Sequence, residues 1–462
     1  MRIEKRVALR ISGFWVGLSF LFGLAAQGAE LPEAVKDMVR ARVDDGKTMG
    51  MVIGVVDADG ASYFGYGKMA ASGDETPSKV SVFEIGSITK VFTATLLADA
   101  VRRGEVDYND TIEMHLPGDV GVPTKDGKSI TLEHLSVQNS GLPRMPDNFA
   151  PKDPQNPFAD YMPEDLYEFL GRVELKRGVG EAYEYSNVGV GLLGHLLERA
   201  SGLSYEALVV DRIAKVVGMP DTAITLSEAM NARLAKGHQG TNESPNWDLA
   251  VLAGAGAIRS TAQDMIVFLE ANLGLRDTPL LGAMRETHVS RAKAGSESME
   301  IGLGWHIRIM QDGSKIHWHN GGTGGYRSFA GFVQDPPLGV VVLTNSGGAG
   351  DDDIGFHLLD ESIPMANATA RSEVTLDVSI LERYVGKYEL QPGAVLDIDL
   401  KSGQLRAQLT GQPRFPIFPE SETEFFYKIV EAQLSFVVDD SGKATGLVLH
   451  QGGLNIEAKK IE

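Results

Sequence analysis

The chain has 462 residues, of which 43% are apolar, so it can bury the cores of about two to three domains. Its formal net charge of −19 disfavours nucleic-acid partners, because an acidic surface repels phosphate groups. Cysteine is absent, which excludes disulfides, thiolate metal sites, iron–sulfur clusters and a cysteine nucleophile.

The amino-terminal segment has the layout of a secretory signal peptide. Basic residues precede an apolar run over residues 11–26, and the small residues Gly28 and Ala29 follow it. We expect residues 1–29 to be removed and the mature protein to be periplasmic or secreted. The apolar run is slightly long for a signal peptide, so a membrane anchor is the alternative. No later apolar stretch is long enough to span a bilayer, so we expect no stable anchor after cleavage.

The next segments predict two strands followed by a largely helical region. Residues 50–67 contain apolar runs around an Asp-Ala-Asp-Gly turn, the pattern of a β-hairpin. Residues 87–103 are apolar on nearly every side of a helix, as in a buried helix, and Gly104 is the expected C-cap. Residues 139–165 are typical of a loop, and residues 187–200 predict a second apolar helix.

Three later segments, at residues 304–310, 329–334 and 339–344, have strand patterns. Early strands, a helical middle and late strands together predict an antiparallel sheet flanked by helices, with a helical insertion. We expect residues 30–363 to form this sheet-and-helix domain.

The composition changes near residue 364. Residues 364–378 are small, polar and without a pattern, and we interpret them as a linker. Beyond them, six short alternating runs recur at a spacing of roughly 8–12 residues. This spacing predicts a small antiparallel β-barrel or a sandwich over residues 379–462, with no catalytic constellation of its own.

The strongest candidate for chemistry is Ser87-Ile88-Thr89-Lys90. Side chains three residues apart lie on one helix face, so Lys90 can approach Ser87. A serine hydroxyl needs a base, and desolvation in an apolar helix lowers the pKa of a lysine enough for its neutral amine to serve. The helix N-terminus adds donors for an oxyanion. The competing interpretation is a helix cap at Ser87 with a lysine that reaches solvent.

The same Ser-x-x-Lys pattern occurs a second time, at Ser290-Arg291-Ala292-Lys293. The charged residues around it predict an exposed helix. A lysine there would stay hydrated and protonated, so we expect this copy to be inert.

A second element is Tyr185-Ser186-Asn187, the only Tyr-x-Asn in the chain, which opens the second apolar helix. A tyrosine near a cation can relay a proton, and an asparagine amide can bind a substrate carbonyl. The alternative is a packed aromatic ring with Asn187 as the helix cap.

A third element is the glycine-rich segment over residues 318–326, which contains His319, Gly321 and Gly322. Its glycines would let a substrate lie against a strand edge with backbone N–H groups available to it. The alternative is a glycine-rich bulge.

In this order the three elements resemble the motifs of the serine β-lactamases and penicillin-recognising D-Ala-D-Ala peptidases. The resemblance is to the class C β-lactamase-like branch, which also contains D-amino-acid peptidases and family VIII carboxylesterases. It covers about residues 35–350, including the segments at residues 83–92, 130–143, 185–194, 218–222 and 319–326. It implies the β-lactamase/transpeptidase-like fold, an α/β plus all-α domain, for residues 30–363. It also implies an acyl-enzyme mechanism that requires no metal or other cofactor. Residues 384–388 resemble part of the lipocalin-like domains attached to some of these proteins.

Carried over by position, the resemblance implies that Ser87 is the acylated nucleophile. Lys90 and Tyr185 would share general-base and general-acid duty, and Asn187 would hold the substrate amide or the lysine. The backbone N–H groups of Ser87 and Gly322 would form the oxyanion hole.

Two departures from the family pattern leave the substrate open. His319-Asn320-Gly321 stands where the family usually begins with lysine, and a histidine is mostly neutral at pH 7. If His319 contacts a substrate carboxylate, binding should strengthen as pH falls through about 6.5. Residues 137–140 stand where relatives often carry a His-Thr pair before Ser-Gly.

The sequence therefore favours an exported serine hydrolase for β-lactams or D-alanyl peptides, with a small-molecule or peptidoglycan-derived substrate. The alternatives are a family VIII-type carboxylesterase and a non-catalytic penicillin-binding or cell-wall-sensing protein with a degenerate site. The histidines show no metal-ligand spacing, and we expect His134, His195 and His238 to be structural or surface residues.

Overall fold

The computed structural model describes residues 29–462 except 349, 367–372, 392–393, 411–413, 428–431, 440 and 452–453. The expected signal peptide, apart from its last residue, lies outside the described residues, as does the centre of the expected linker. Among the helices of the described part, none has the length and apolarity needed to cross a bilayer.

The described residues contain thirteen α-helices, all but the last before residue 364. They are α1 (Glu33–Asp44), α2 (Thr89–Arg102), α3 (Ile112–His115), α4 (Leu132–Ser136), α5 (Pro163–Arg172), α6 (Asn187–Ser201), α7 (Tyr205–Val209), α8 (Lys215–Val217), α9 (Glu228–Asn231), α10 (Ala262–Leu273), α11 (Leu281–Thr287), α12 (Asp352–Leu359) and α13 (Val378–Leu381). The two predicted apolar helices are present as α2 and α6. A 3₁₀ turn over Gly86–Ile88 leads into α2, and Gly104 follows its end with a φ of 71°, which favours glycine.

The same part of the chain contains strands β1 (Gly50–Asp57), β2 (Gly60–Gly67), β3 (Val82–Glu84), β4 (Thr124–Lys125), β5 (Lys128–Ser129), β6 (Gly237–Gln239), β7 (Asn242–Ser244), β8 (Arg259–Thr261), β9 (Ala292–Lys293), β10 (Met299–Ile301), β11 (His306–Ile309), β12 (Lys315–Gly322), β13 (Arg327–Gln334) and β14 (Pro337–Thr344). Eight of them form one antiparallel sheet in the order β2-β1-β14-β13-β12-β11-β10-β9. The predicted hairpin is β1 with β2, and the three later strand predictions correspond to β11, β13 and β14. The expected sheet with flanking helices is confirmed.

The sheet is covered on both faces, and β1 shows this directly. Its residues Val52 and Val56 face a core that includes side chains of α2 and α10. The alternate residues Met51, Ile53 and Val55 face a second core with α1 and α12. Alternate residues of a strand point to opposite faces, so this nearly continuous apolar run is buried on both sides. The result is a three-layer arrangement with α2 on one face of the sheet.

Two local predictions are wrong. The helix expected around the second Ser-x-x-Lys ends at Thr287, and residues Ala292–Lys293 pair with β10 instead. Backbone pairing to a neighbouring strand, which lies later in the chain, overrides the local helical pattern there. The segment 318–326 is not a bulge, because its first half is the end of the regular strand β12, paired with β13 up to Gly322.

The carboxy-terminal region is a closed barrel of eight antiparallel strands. They are β15 (Gly386–Gln391), β16 (Ala394–Lys401), β17 (Gln404–Leu409), β18 (Phe415–Pro419), β19 (Glu424–Tyr427), β20 (Ala432–Val438), β21 (Ala444–Gln451) and β22 (Leu454–Lys460). Each strand pairs with its neighbour in the chain, and β15 closes the barrel by pairing with β22. Of the two predicted alternatives, the barrel is confirmed and the sandwich is wrong. The sequence predicted six of the eight strands and missed β15 and β18. Aromatic rings fill part of the interior, as where Tyr384 stacks on Phe436 at 4.3 Å.

Candidate active site

Ser87 and Lys90 meet at the start of α2. Ser87 lies in the 3₁₀ turn and is half-buried, whereas Lys90, one turn later, is 1% exposed. The Lys90 Nζ atom lies 2.9 Å from the Ser87 Oγ atom. Neither the turn nor α2 has a side-chain cap, and Lys90 does not reach solvent. The competing interpretation, a capped helix with a solvated lysine, is therefore wrong.

The other neighbours of Lys90 are carbonyl groups. Its Nζ atom donates to Asn187 Oδ1 at 2.9 Å and to the backbone oxygen of Ala255 at 2.7 Å. No carboxylate of the described residues forms an ion pair with it. Burial, assisted by the positive charge of Arg144, holds the pKa of Lys90 well below its usual 10.5. A neutral amine that donates to both carbonyl oxygens directs its lone pair toward the Ser87 hydroxyl.

Tyr185 stands beside this pair. Its ring centroid lies 4.9 Å from the Lys90 Nζ atom. Burial raises the pKa of Tyr185 to about 12, although the Ser87 hydroxyl and the Arg144 charge both oppose the rise. Tyr185 is therefore protonated at neutral pH and is suited to donate a proton rather than to accept one.

The turn that carries Tyr185 is held by Ser186 and Gln138. Ser186 is the N-cap of α6: its Oγ atom accepts from the Gly189 N–H at 2.9 Å and donates to the Pro143 carbonyl at 2.7 Å. The Ser186 N–H donates to Gln138 Oε1 at 2.7 Å. The interpretation of Asn187 as the cap is wrong, which leaves its side chain available to hold Lys90. Gln138 lies in the segment that departs from the family pattern, and its φ of 60° brings its side chain to this turn.

The end of β12 packs against the turn that contains Ser87. A Cβ atom on Gly321 would lie 2.0 Å from the Ile85 carbonyl oxygen, and one on Gly86 would lie 2.7 Å from the Gly322 nitrogen. Gly86 also has a φ of 51°, which side chains rarely adopt. Strand β11 pairs with β12 only as far as Trp318, so β11 does not cover the edge of residues 319–322. The glycines thus allow β12 to pack closely against the turn that contains Ser87.

His319 lies next to this edge but is buried, with 1% exposure. Its Nδ1 atom hydrogen-bonds to the Asn320 carbonyl at 2.6 Å, and its Nε2 atom has no partner among the described residues. Its ring lies 5.0 Å from the His306 ring and 6.2 Å from the Tyr185 ring. Burial, with His306 and Lys90 nearby, holds the pKa of His319 well below 6.5. His319 is therefore neutral at pH 7, and the ordinary histidine pKa assumed from the sequence does not apply.

An open cleft leads to Ser87. Its polar side contains Ser87, Asn187 and Thr323. Its apolar side consists of Phe158, Trp247, Leu249 and Leu252, and the Phe158 and Trp247 rings lie 5.2 Å apart. The sequence analysis missed this wall, because its residues come from two irregular segments and the short 3₁₀ helix Ala250–Ala255, which have no periodic pattern.

The histidines outside the cleft bond within the protein. His134 hydrogen-bonds to Thr131 at 2.9 Å, and His195 to the Tyr167 hydroxyl at 2.7 Å. His238 is fully buried and lies 3.3 Å from the Asn345 carbonyl. In the described part of the chain, no group of three or more acidic or histidine side chains is placed to hold a metal ion.

Comparison with protein families matches residues 35–362 to the family described as Beta-lactamase. Residues 370–461 match a Domain of unknown function (DUF3471). The barrel strands therefore lie within a second family match.

Among characterised proteins, the chain is 26% identical over 431 residues to Penicillin-binding protein 4* of Bacillus subtilis (strain 168), covering 86% of this chain and 91% of that protein. It is 29% identical over 340 residues to the D-alanyl-D-alanine-carboxypeptidase/endopeptidase AmpH of Escherichia coli (strain K12), covering 70% of this chain and 87% of that one. Among solved structures, a class C β-lactamase from Rhodobacter sphaeroides superposes with a TM-score of 0.62 at 22% identity, covering 72% of this chain and 99% of that chain. A β-lactamase/D-alanine carboxypeptidase from Yersinia pestis, complexed with citrate, gives 0.60 at 24%, covering 68% and 92%.

Proposed function

Because the chain belongs to the Beta-lactamase family, we propose that it is an exported serine hydrolase that cleaves β-lactams or D-alanyl peptides through an acyl-enzyme. The observation that carries the proposal is the contact of Lys90 Nζ with Ser87 Oγ at 2.9 Å, inside a site that favours the neutral amine. A relative named as a D-alanyl-D-alanine carboxypeptidase and a structural neighbour named as a class C β-lactamase support the two substrate classes.

The proposed reaction begins with proton transfer from Ser87 to Lys90. The Ser87 Oγ atom forms a bond to the substrate carbonyl carbon, and the backbone N–H groups of Ser87 and Gly322 stabilise the resulting oxyanion. The tetrahedral intermediate collapses, the C–N bond breaks, and Tyr185 supplies the proton that the leaving nitrogen takes up. The proton held by Lys90 then returns to Tyr185.

The second half of the reaction releases the acyl group. A water molecule gives a proton to the base and attacks the ester carbon of acylated Ser87. The ester bond breaks, and the proton returns to the Ser87 oxygen. Asn187 holds Lys90 through its Oδ1 atom. Its Nδ2 group donates one N–H to the Met145 sulfur at 3.8 Å, and the other N–H serves the substrate carbonyl in both halves.

The buried state of His319 favours a second candidate, a carboxylesterase for neutral acyl esters. A neutral imidazole supplies no charge for a substrate carboxylate, so this position does not select against neutral substrates. The apolar wall formed by Phe158 and Trp247 also suits an uncharged acyl group.

Mass spectrometry of the intact protein tests these candidates on one preparation. The protein is exposed separately to benzylpenicillin, to a D-alanyl peptide and to a p-nitrophenyl ester. The adduct on Ser87 and the released product are measured over time. Turnover of the penicillin or of a D-alanyl peptide supports the proposal, and turnover of the ester alone supports the carboxylesterase. A permanent penicillin adduct without turnover of any substrate, or the absence of both adduct and turnover, supports a non-catalytic binding protein.

The proposal includes the organisation of the chain. Residues 1–29 are a signal peptide, residues 30–363 the hydrolase, residues 364–378 a linker and residues 379–462 the barrel domain. The contacts on the two sides of the linker support this division: Ile363 and Met365 pack on the core beside α1 and α12, whereas Leu376 packs on the barrel core. Amino-terminal sequencing of the protein recovered from the periplasm tests cleavage near Ala29.

A further inference from the structure

We propose that Arg144 binds a carboxylate group of the substrate and so provides the positive charge that His319 does not. This inference rests on the proposed function, because it assigns the substrate's anionic group to the same cleft. It names the substrate class as acyl compounds that carry a carboxylate.

The position of Arg144 is set by the catalytic elements themselves. Its backbone carbonyl accepts the N–H of Asn187 at 2.9 Å, so its main chain is attached to the first residue of α6. The guanidinium carbon lies 5.0 Å from the centroid of the Tyr185 ring, and the Lys90 Nζ atom lies 4.9 Å from the same centroid. Arg144 is therefore beside the reacting groups rather than on a remote surface.

The charge of Arg144 is available to a ligand. The residue is exposed, and no carboxylate of the described residues forms an ion pair with it. The protein as a whole carries a formal net charge of −19, so an unpaired arginine beside Tyr185 is not explained by a shortage of acidic side chains. An accessible guanidinium is well shaped to bind a carboxylate through two parallel hydrogen bonds.

The other basic groups of the site are unsuited to this task. His319 is buried and neutral, and Lys90 is committed to Asn187 and Ala255. Arg327, whose side chain packs beside Gly322, is half-buried, and its charge already interacts with the carboxyl groups of Asp352 and Asp351. Arg144 is thus the exposed, unpaired cation nearest to Tyr185 among these groups.

The test measures dissociation constants for two pairs of peptides with the full-length Ser87→Ala protein, in which no turnover occurs. The first pair is N-acetyl-D-alanyl-D-alanine and its carboxy-terminal amide. The second pair is N-succinyl-D-alanyl-D-alaninamide and N-acetyl-D-alanyl-D-alaninamide. In one of the two pairs, we expect the peptide with the carboxylate to bind about tenfold more tightly than its neutral partner. Whichever pair shows this difference identifies the side of the scissile bond on which the substrate carboxylate lies.

Adding Arg144→Gln should remove that tenfold advantage, and Arg144→Lys should restore most of it. Arg40→Gln is the matched control, because Arg40 is a surface arginine on α1, which packs near β2 at the far edge of the sheet. The Arg40 variant should keep the advantage. If the carboxylate advantage survives Arg144→Gln in the pair that shows it, or if neither pair shows it before that substitution, the assignment of Arg144 is overturned. Acylation of Ser87 in the unsubstituted enzyme is measured separately, so failure of the proposed function is recognised independently.

Discussion

The two copies of Ser-x-x-Lys in this chain have the same four-residue pattern and different surroundings. In the first copy, Lys90 is 1% exposed and its three polar neighbours are the Ser87 hydroxyl and two carbonyl oxygens. In the second copy, the Lys293 side chain is 56% exposed and pairs with the Glu300 carboxylate at 3.3 Å. A carboxylate stabilises a protonated lysine, whereas burial among carbonyl groups favours the neutral amine.

The backbone of the two copies differs as well. Ser87 and Lys90 follow one another in a helical turn, which places the two side chains on one face. Ser290 follows the end of α11, and Lys293 lies in strand β9. The Ser290 hydroxyl hydrogen-bonds to Glu300 and lowers the pKa of that carboxyl more than the neighbouring lysines do. The partner of Ser290 is therefore a carboxylate rather than a neutral amine that could act as its base. A motif therefore has chemical meaning only with the conformation and the charges around it.

The largest expected effect comes from removing the two serines separately. Ser87→Ala should lower kcat by at least about 10⁴-fold and abolish covalent labelling, because the nucleophile is lost. Ser290→Ala should leave both unchanged. Steady-state kinetics and the mass of the labelled protein provide the measurement, with circular dichroism as the check on folding. Labelling that persists in the Ser87 variant and is lost in the Ser290 variant would reverse the assignment.

Replacing each lysine by arginine tests whether only Lys90 has to lose its proton for acylation. Lys90→Arg should lower the acylation rate by about 10³-fold or more, because a guanidinium does not release its proton in this pH range. Lys293→Arg should have no effect on acylation, since its charge and its pairing with Glu300 are kept. Because a larger side chain in the buried position also lowers stability, the melting temperature of each variant is measured beside the rate. Normal acylation by a folded Lys90→Arg protein would leave Tyr185 as the candidate base.

Tyr185→Phe tests whether the Tyr185 hydroxyl, beside Ser87 and Lys90, acts as the acid of the reaction. The pKa of Tyr185 is raised to about 12, so its hydroxyl acts as an acid, and its loss should lower kcat by about 10²-fold for a D-alanyl peptide. A p-nitrophenyl ester should lose much less, since p-nitrophenolate leaves without a proton. Parallel kinetics with the two substrates provide the measurement. Equal losses for both would argue that Tyr185 acts before the leaving group departs.

Gly321→Ala tests whether activity at the first Ser-x-x-Lys requires the close packing of β12 against the turn that contains Ser87. The added Cβ atom would meet the Ile85 carbonyl at 2.0 Å, so the strand must move away from the turn that holds Ser87. We expect kcat/KM to fall by about 10²-fold, because a shift of about 1 Å misplaces the oxyanion donor. Gly118→Ala is the control, since a Cβ atom there meets nothing within 4 Å. A fully active Gly321→Ala protein would show that Gly322 does not stabilise the oxyanion.

The smallest expected effect concerns His319. Since burial holds the pKa of His319 well below 6.5, the ring should gain no charge as pH falls through 6.5, and it should add nothing to carboxylate binding there. The affinity of Ser87→Ala for N-acetyl-D-alanyl-D-alanine should therefore have the same pH profile with and without His319→Gln. A gain in affinity toward pH 5 that disappears in the His319→Gln protein would restore the role considered from the sequence.

The sequence by itself determined the elements whose pattern is local. The hairpin of β1 and β2, the apolar helices α2 and α6, and most strands of the barrel follow from the spacing of apolar residues and from turn residues. The pairing of Ser87 with Lys90 also followed from sequence, because three residues make nearly one helical turn. The order of the motifs likewise indicated the family that the comparison confirmed.

The tertiary structure decided which lysine favours its neutral form and that His319 carries no charge at pH 7. Lys90 donates hydrogen bonds to Asn187 and Ala255, which lie 97 and 165 residues away in the chain, and no local pattern encodes those contacts. His319 becomes neutral because the sheet and the Tyr185 turn bury it, and Lys293 stays accessible because its segment pairs at the sheet edge. A pKa depends on desolvation and on neighbouring charges, and both are set by which distant segments pack together.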